Sequence, residues 1–168
     1  MNPLTITVDT REHAPLPIPA TIILPPSDRS LRATPRTLHL LSTSTALDPG
    51  DYGLAHDPSI RIERKCGLDE VASALASGLL ASQCKRLSLL PHSLLLWEIP
   101  THILLNPRPT THVPQPHTVI SVLLEMLADF KIPLLTASSS NRYLIGELAA
   151  RWLLTRDPSL RRDAPTIT

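Results

Sequence analysis

Hydrophobic and polar positions alternate in short runs through the first half of the chain and recur at helical spacing through much of the second. Residues 4–8 (Leu-Thr-Ile-Thr-Val) alternate and are β-branched, which predicts a first strand running into Asp9. Pro15, Pro17 and Pro19 predict an extended loop, followed by a short strand at 21–24 that Pro25-Pro26 closes. Residues 27–36 are polar and basic and read as an exposed loop, and 37–41 as another short strand. Asp48-Pro49-Gly50 has turn chemistry, because Pro presets φ and Gly accepts a positive one. Residues 59–65 (Ser-Ile-Arg-Ile-Glu-Arg-Lys) return to strand.

From Asp69 the period changes, with Val71, Leu75 and Leu79 on one helical face. Gly78 is expected to kink or divide that helix before Leu80, Cys84 and Leu87 continue it. Residues 94–99 form an apolar run ending in Trp97-Glu98 before Ile99, the mark of a strand buried on both faces. The stretch 101–116 holds four Pro and two His and reads as an irregular excursion. Helical spacing resumes over 117–130, a short strand is expected at 132–136, and 141–154 is expected to be an amphipathic helix with Ser139 or Ser140 as N-cap. The order predicts one α/β domain over 1–156, a mixed sheet covered on its faces, with a disordered tail over 157–168. No internal repeat is present.

A chain of 168 residues supports one domain with a real core and is too short for two ordinary ones. Two Trp, two Tyr and one Phe argue against a surface that stacks several nucleic-acid bases on aromatic platforms. A net charge of +1 requires any phosphate binding to come from a local basic patch. Cys66 and Cys84 lack zinc or disulfide-framework spacing and read as reduced thiols of an intracellular protein. There is no signal-peptide pattern and no apolar run long enough to span a bilayer, so no membrane partner is expected. The seven His are scattered without ligand spacing, no Gly-rich phosphate loop exists, and Ser138-Ser139-Ser140 has no nucleophile-elbow glycines.

The informative segment is Gly50-Asp51-Tyr52 followed by Glu63-Arg64-Lys65 and Asp69. Side chains two apart on a strand share a face, so Glu63 and Lys65 point one way and Arg64 the other. Two carboxylates beside a Lys suit phosphodiester hydrolysis: hard oxygens hold Mg2+ or Mn2+, and the Lys orients water or balances developing charge. Each residue alone also has an ordinary role. Glu-Arg-Lys fits a solvated strand face, Asp51 a turn, Asp9 a strand end, and Asp69 the first turn of a helix. Arg29, Arg32 and Arg36 in the polar loop, Lys85 and Arg86 on the helix, and Arg142 near a helix start are the candidate DNA-contacting cations.

Taken together and in order, Val8-Asp9-Thr10-Arg11-Glu12, Gly50-Asp51-Tyr52 and Glu63-Arg64-Lys65-Cys66-Gly67-Leu68-Asp69 resemble the nuclease domain of the XPF family of structure-specific endonucleases. The stretch 73–87, with Gly78 and Gln83, looks like that family's helical continuation, and 94–98 like its buried strand ending in Glu. The resemblance covers residues 4–155. It implies a restriction-endonuclease-like core, a central mixed β-sheet flanked by helices, that cuts DNA at branched or single-strand/double-strand junctions in repair or recombination. By position it implies Asp51, Glu63 and Asp9 as ligands of Mg2+ or Mn2+ and Lys65 as the catalytic lysine. Arg11 and Glu12 would line the same site, and Arg64 and Asp69 would complete the motif. The family commonly has a basic residue after the glycine of its helical segment, where this chain has Leu79.

The expected activity is therefore metal-dependent endonuclease action on junction DNA, by a homodimer or a heterodimer with a related subunit. The alternatives are a catalytically silent DNA-binding scaffold of the same fold, or a sequence-specific nuclease of the broader fold. The chain has no room for a tandem helix-hairpin-helix module or a helicase and is read as a compact stand-alone protein. Its expected place is the cytoplasm if prokaryotic or viral, and the nucleus if eukaryotic.

Overall fold

The computed structural model describes residues 3–24, 35–110, 112–113, 115–138 and 140–160. Seven strands make one mixed sheet: β1 (Leu4–Asp9), β2 (Thr21–Leu24), β3 (Arg36–Thr45), β4 (Tyr52–Leu54), β5 (Asp57–Cys66), β6 (His92–Glu98) and β7 (Leu134–Ala137). Their spatial order is β2-β3-β1-β4-β5-β6-β7. β1 runs parallel to β3 and antiparallel to β4, β4 is antiparallel to β5, and β5, β6 and β7 are mutually parallel in sequence. This is the mixed, helix-flanked α/β sheet expected from the sequence.

The alternation of β5 explains the two cores. Ile60 and Ile62 join Ile6, Tyr52, Leu94 and Leu96 beneath α5 (Arg142–Arg156), whose Ile145, Ala149, Ala150, Leu153 and Leu154 close that side. Leu95 and Trp97, on the other face of β6, pack under α1 (Gly67–Ala76), α2 (Leu79–Leu87) and α4 (Pro116–Asp129). β6 is buried on both faces, as its unbroken apolar run requires. Gly78 separates α1 from α2 with φ of 72°, a conformation that glycine adopts without a Cβ penalty. Gly50 likewise has φ of 96°, and a Cβ there would lie 3.1 Å from the Ile62 carbonyl oxygen. The chain can therefore turn tightly against β5 just before Asp51.

Four expectations change in detail. β3 reaches Thr45 rather than stopping at 41, because its residues 40–45 pair with the whole of β1. The excursion after β6 begins with a short helix, α3 (Thr101–Leu105). The N-cap of α5 is Asn141, whose side chain accepts the Leu144 N–H at 3.0 Å; Ser139 lies outside the described residues. The segment expected to lack structure from 157 starts with an ordered turn, since Asp157 is fully buried and Pro158–Leu160 form a 3-10 helix. Residues 161–168 lie outside the described residues, as do Arg29 and Arg32. No helix among the described residues is long and apolar enough to cross a membrane.

Candidate active site

Strand pairing brings Asp51, Glu63 and Lys65 into one cleft. The Asp9 N–H donates to the Asp51 carbonyl and the Asp51 N–H to that of Ile62, each at 2.8 Å, so residue 51 is sewn between β1 and β5. The Arg64 N–H then donates to Asp51 Oδ2 at 2.7 Å, which fixes the carboxylate beside the Glu63-to-Lys65 segment. Glu63 and Lys65 share a face, and Lys65 Nζ lies 2.6 Å from Glu63 Oε1. The cleft they line, about 470 Å3, also includes Arg11, Glu12, Asp48, Arg64, Glu70, Leu79, Gln83 and Arg86.

Burial governs the charges. Glu63 and Lys65 are 2% and 5% exposed. Burial first, and then the neighbouring charge of Glu63, lifts the Asp51 carboxyl to about 7. Burial also raises Glu63, against the opposing pull of Lys65. Lys65 loses by burial and gains more from Glu63, Glu70 and Asp51, so it is held above its ordinary value and stays a cation at neutral pH.

Arg64 points to the opposite face, as alternation requires. It is buried in a network rather than offered to a ligand: Nε bonds Glu98 Oε1, and Nη1 donates to Glu12 Oε1 at 2.9 Å and to the Ala14 carbonyl at 2.8 Å. Arg64 thus braces the loop after β1 against the ends of β5 and β6. Asp9 is also a brace. Its Oδ1 accepts the Arg11 N–H and Nε–H at 2.6 and 2.9 Å, and its Oδ2 accepts Arg11 Nη2–H and the Leu47 N–H at 2.9 and 2.7 Å. The Arg11 fork beside it, chiefly, holds its carboxyl at about 2. Both oxygens are occupied, and Asp9 does not line the cleft although Arg11 and Glu12 do. Asp69 is exposed in the first turn of α1 and faces a separate groove.

Two side chains outside the motif positions complete the cleft. Gln83 Nε2 donates to Glu63 Oε1 at 2.6 Å, while Gln83 Oε1 is buried with no partner among the described residues. Glu70 Oε1 lies 3.6 Å from Lys65 Nζ, and its Oε2 accepts the Cys66 N–H at 2.5 Å, tying off the start of α1. Glu70 was legible only as a neighbour of Asp69. Gln83 lies one helical turn past Leu79, on the face that the break at Gly78 turns toward β5. Leu79 itself is 51% exposed at the cleft.

Of the candidate DNA cations, Arg86 lines the cleft, with Nε 3.1 Å from Asp48 Oδ1. Lys85 is exposed on α2 outside it. Arg142 is spent on the loop after β1, donating from Nη2 to the Ala14 and Pro15 carbonyls at 2.5 and 3.1 Å. Arg36 starts β3, paired opposite Leu24 near the far edge of the sheet.

Among the described residues no group of three or more His, Cys, Asp or Glu forms a ready-made metal cage. The cleft instead offers two carboxylates, each with one oxygen fixed by protein donors: Asp51 Oδ2 by Arg64 N, and Glu63 Oε1 by Lys65 and Gln83. That donor set fits Mg2+, which is commonly bound through one or two carboxylates, with water and substrate phosphate completing its shell.

No family model and no curated protein matches the chain. Solved structures do. XPF from Aeropyrum pernix matches at 25% identity and a TM-score of 0.59, covering 94% of this chain and 68% of that one. A structure described as XPF from Aeropyrum pernix in complex with DNA matches at 20% identity and a TM-score of 0.60, covering 90% of this chain and 66% of that one. The chain has an XPF-like nuclease fold and spans about two thirds of the length of those structures.

Proposed function

We propose that the cleft is the active site of an Mg2+- or Mn2+-dependent endonuclease that hydrolyses phosphodiester bonds in branched or junction DNA. One observation carries the reading: two carboxylates whose ionised forms are disfavoured share a buried cleft with a lysine held as a cation. A divalent cation supplies what the pair lacks, and Asp51 and Glu63 would hold it. When bound, it would stabilise charge on the phosphate and lower the pKa of an attacking water.

The chain's own residues do the rest. Lys65 enters the reaction protonated, so it donates hydrogen bonds and does not serve as the general base. Its contact with Glu63 aims the ammonium at the place where phosphate charge develops. Gln83 and Lys65 pin one oxygen of Glu63, and the other would be left for the cation. Arg11 and Arg86 at the rim are placed to meet backbone phosphates, which positions DNA without reading its sequence. Glu12, Asp48 and Glu70 offset those cations, so grip on the duplex has to come from beyond the cleft. A second subunit, identical or related, is the proposed source. The relative of the same fold described in complex with DNA supports the choice of substrate.

The test offers flap, splayed-arm and plain duplex DNA to the purified chain with EDTA, Mg2+ or Mn2+. Expected is metal-dependent cutting near the junction that Lys65→Ala and Asp51→Asn both abolish. Cleavage indifferent to those substitutions refutes the assignment. Tight junction binding with no turnover in any metal identifies a silent scaffold instead.

A further inference from the structure

Beside the cleft, outside the carboxyl ends of β5 and β6, lies a second and larger groove of about 990 Å3. That position is where parallel sheets commonly take ligands, and the volume is at the upper end of small-molecule sites. Its walls are mainly aliphatic, from Leu68, Ile99, Pro100 and Ile103. Its rim carries Asn106, Thr110, His102 and Arg108, and the last two are exposed and in no ion pair among the described residues.

The groove and the cleft are continuous in structure. Cys66 lines both, and Arg64, which contributes to the lining of the cleft, is bonded to Glu98, which contributes to that of the groove. A DNA strand with its scissile phosphate at Asp51 and Glu63 therefore has this groove within reach of its neighbouring nucleotide. A paired base cannot enter a recess between a helix start and a loop, because its partner strand blocks it. An unpaired base can, with its flat faces against Leu68 and Ile103, its edge near Asn106 and Thr110, and its phosphate near Arg108.

We propose that this groove receives an unpaired nucleotide adjoining the scissile phosphate, and so selects DNA with single-stranded character at the cut. The proposal rests on the nuclease reading of the cleft and adds to it a means of choosing substrate. The occupant follows from charge and shape: aliphatic walls suit a base, and the unpaired rim cation suits its phosphate. Asp69 on the rim opposes a second phosphate, which limits the fit to one nucleotide.

Binding is measured by fluorescence anisotropy on the full chain carrying Asp51→Asn, with Ca2+ present, so that turnover plays no part. The probes are plain duplex, splayed-arm DNA, and splayed-arm DNA abasic at successive arm positions. Making the aliphatic wall polar with Ile103→Asn, or removing the exposed Arg108 with Arg108→Ala, should weaken splayed-arm binding about ten-fold while leaving duplex binding unchanged. One abasic position should cause a similar loss, and that loss should vanish in Ile103→Asn. Equal effects on duplex and splayed-arm DNA, or no abasic position that matters, overturn the groove assignment while the nuclease reading stands. Failure to bind any of these DNAs overturns both. Arg108 is exposed, so its variant keeps the test decisive if Ile103→Asn does not fold.

Discussion

Asp51 should make the metal-free protein less stable as pH rises. Lifting a carboxyl from 3.8 to about 7 means that the fold disfavours its ionised form by about 4 kcal/mol. Below pH 4 the residue is protonated in folded and unfolded chains alike, and its effect cancels. Between about 4 and about 7 the fold retains a proton that the unfolded chain has released. The unfolded state then binds fewer protons, so stability falls with pH across that window and levels off above it. Asp51→Asn removes the charge and keeps an oxygen to accept the Arg64 N–H. Its stability should match the wild type near pH 3 and exceed it at pH 8 by a few kcal/mol, up to about 4 kcal/mol. Glu63 is raised for the same reason and leaves a shallower slope in the variant. Urea unfolding in EDTA at several pH values reads the difference directly, provided the m-value is unchanged. Mn2+ should then stabilise the wild type at pH 8 and not the variant. A variant less stable than wild type at pH 8, or a wild-type curve that climbs between pH 5 and 7 relative to it, would refute the charge assignment.

Three further outcomes follow from the geometry. Arg64→Met strands Glu98 and Glu12 without their partner and should cost about 3–5 kcal/mol in urea unfolding, most of it recovered when Glu98→Leu is added; a single variant near wild-type stability would show that the network is not needed. Gln83→Leu should weaken Mn2+ binding or turnover about 10–100-fold, read by calorimetry and single-turnover cleavage, with DNA affinity in EDTA unaffected. Gly146→Ala would place a Cβ 2.2 Å from the Pro17 carbonyl oxygen, and a backbone clash of about 1–3 kcal/mol outweighs the better helix propensity of Ala. Its Tm should fall, and a rise would show that the loop after β1 yields freely.

Much of this architecture is local and so was legible along the chain. Period-two alternation placed Glu63 with Lys65 and Arg64 opposite them, and the glycines marked the turns that present Asp51 and divide α1 from α2. What alternation cannot reveal is which polar atoms are already spent. Asp9 reads as one more site carboxylate until Leu47, 38 residues away, is seen to fill its second oxygen together with Arg11. Arg142 likewise reads as a free cation until the loop at Ala14 and Pro15 takes its guanidinium. Gln83 carries no charge and sits in a helical run, so only the fold of α2 over β5 shows that it holds Glu63. Asn141 outranks Ser140 as cap because its side chain, one residue nearer α5, reaches the Leu144 N–H.

The central claim is that Asp51 and Glu63 jointly hold a divalent cation beside Lys65. Its most direct test is a crystal structure of the chain with Mn2+, read by anomalous scattering. Predicted is one peak in the cleft held by the Asp51 and Glu63 carboxylates, and its loss in Asp51→Asn. No peak in the cleft at saturating Mn2+, or a peak held by other residues while Asp51 and Glu63 stay unligated, would contradict it.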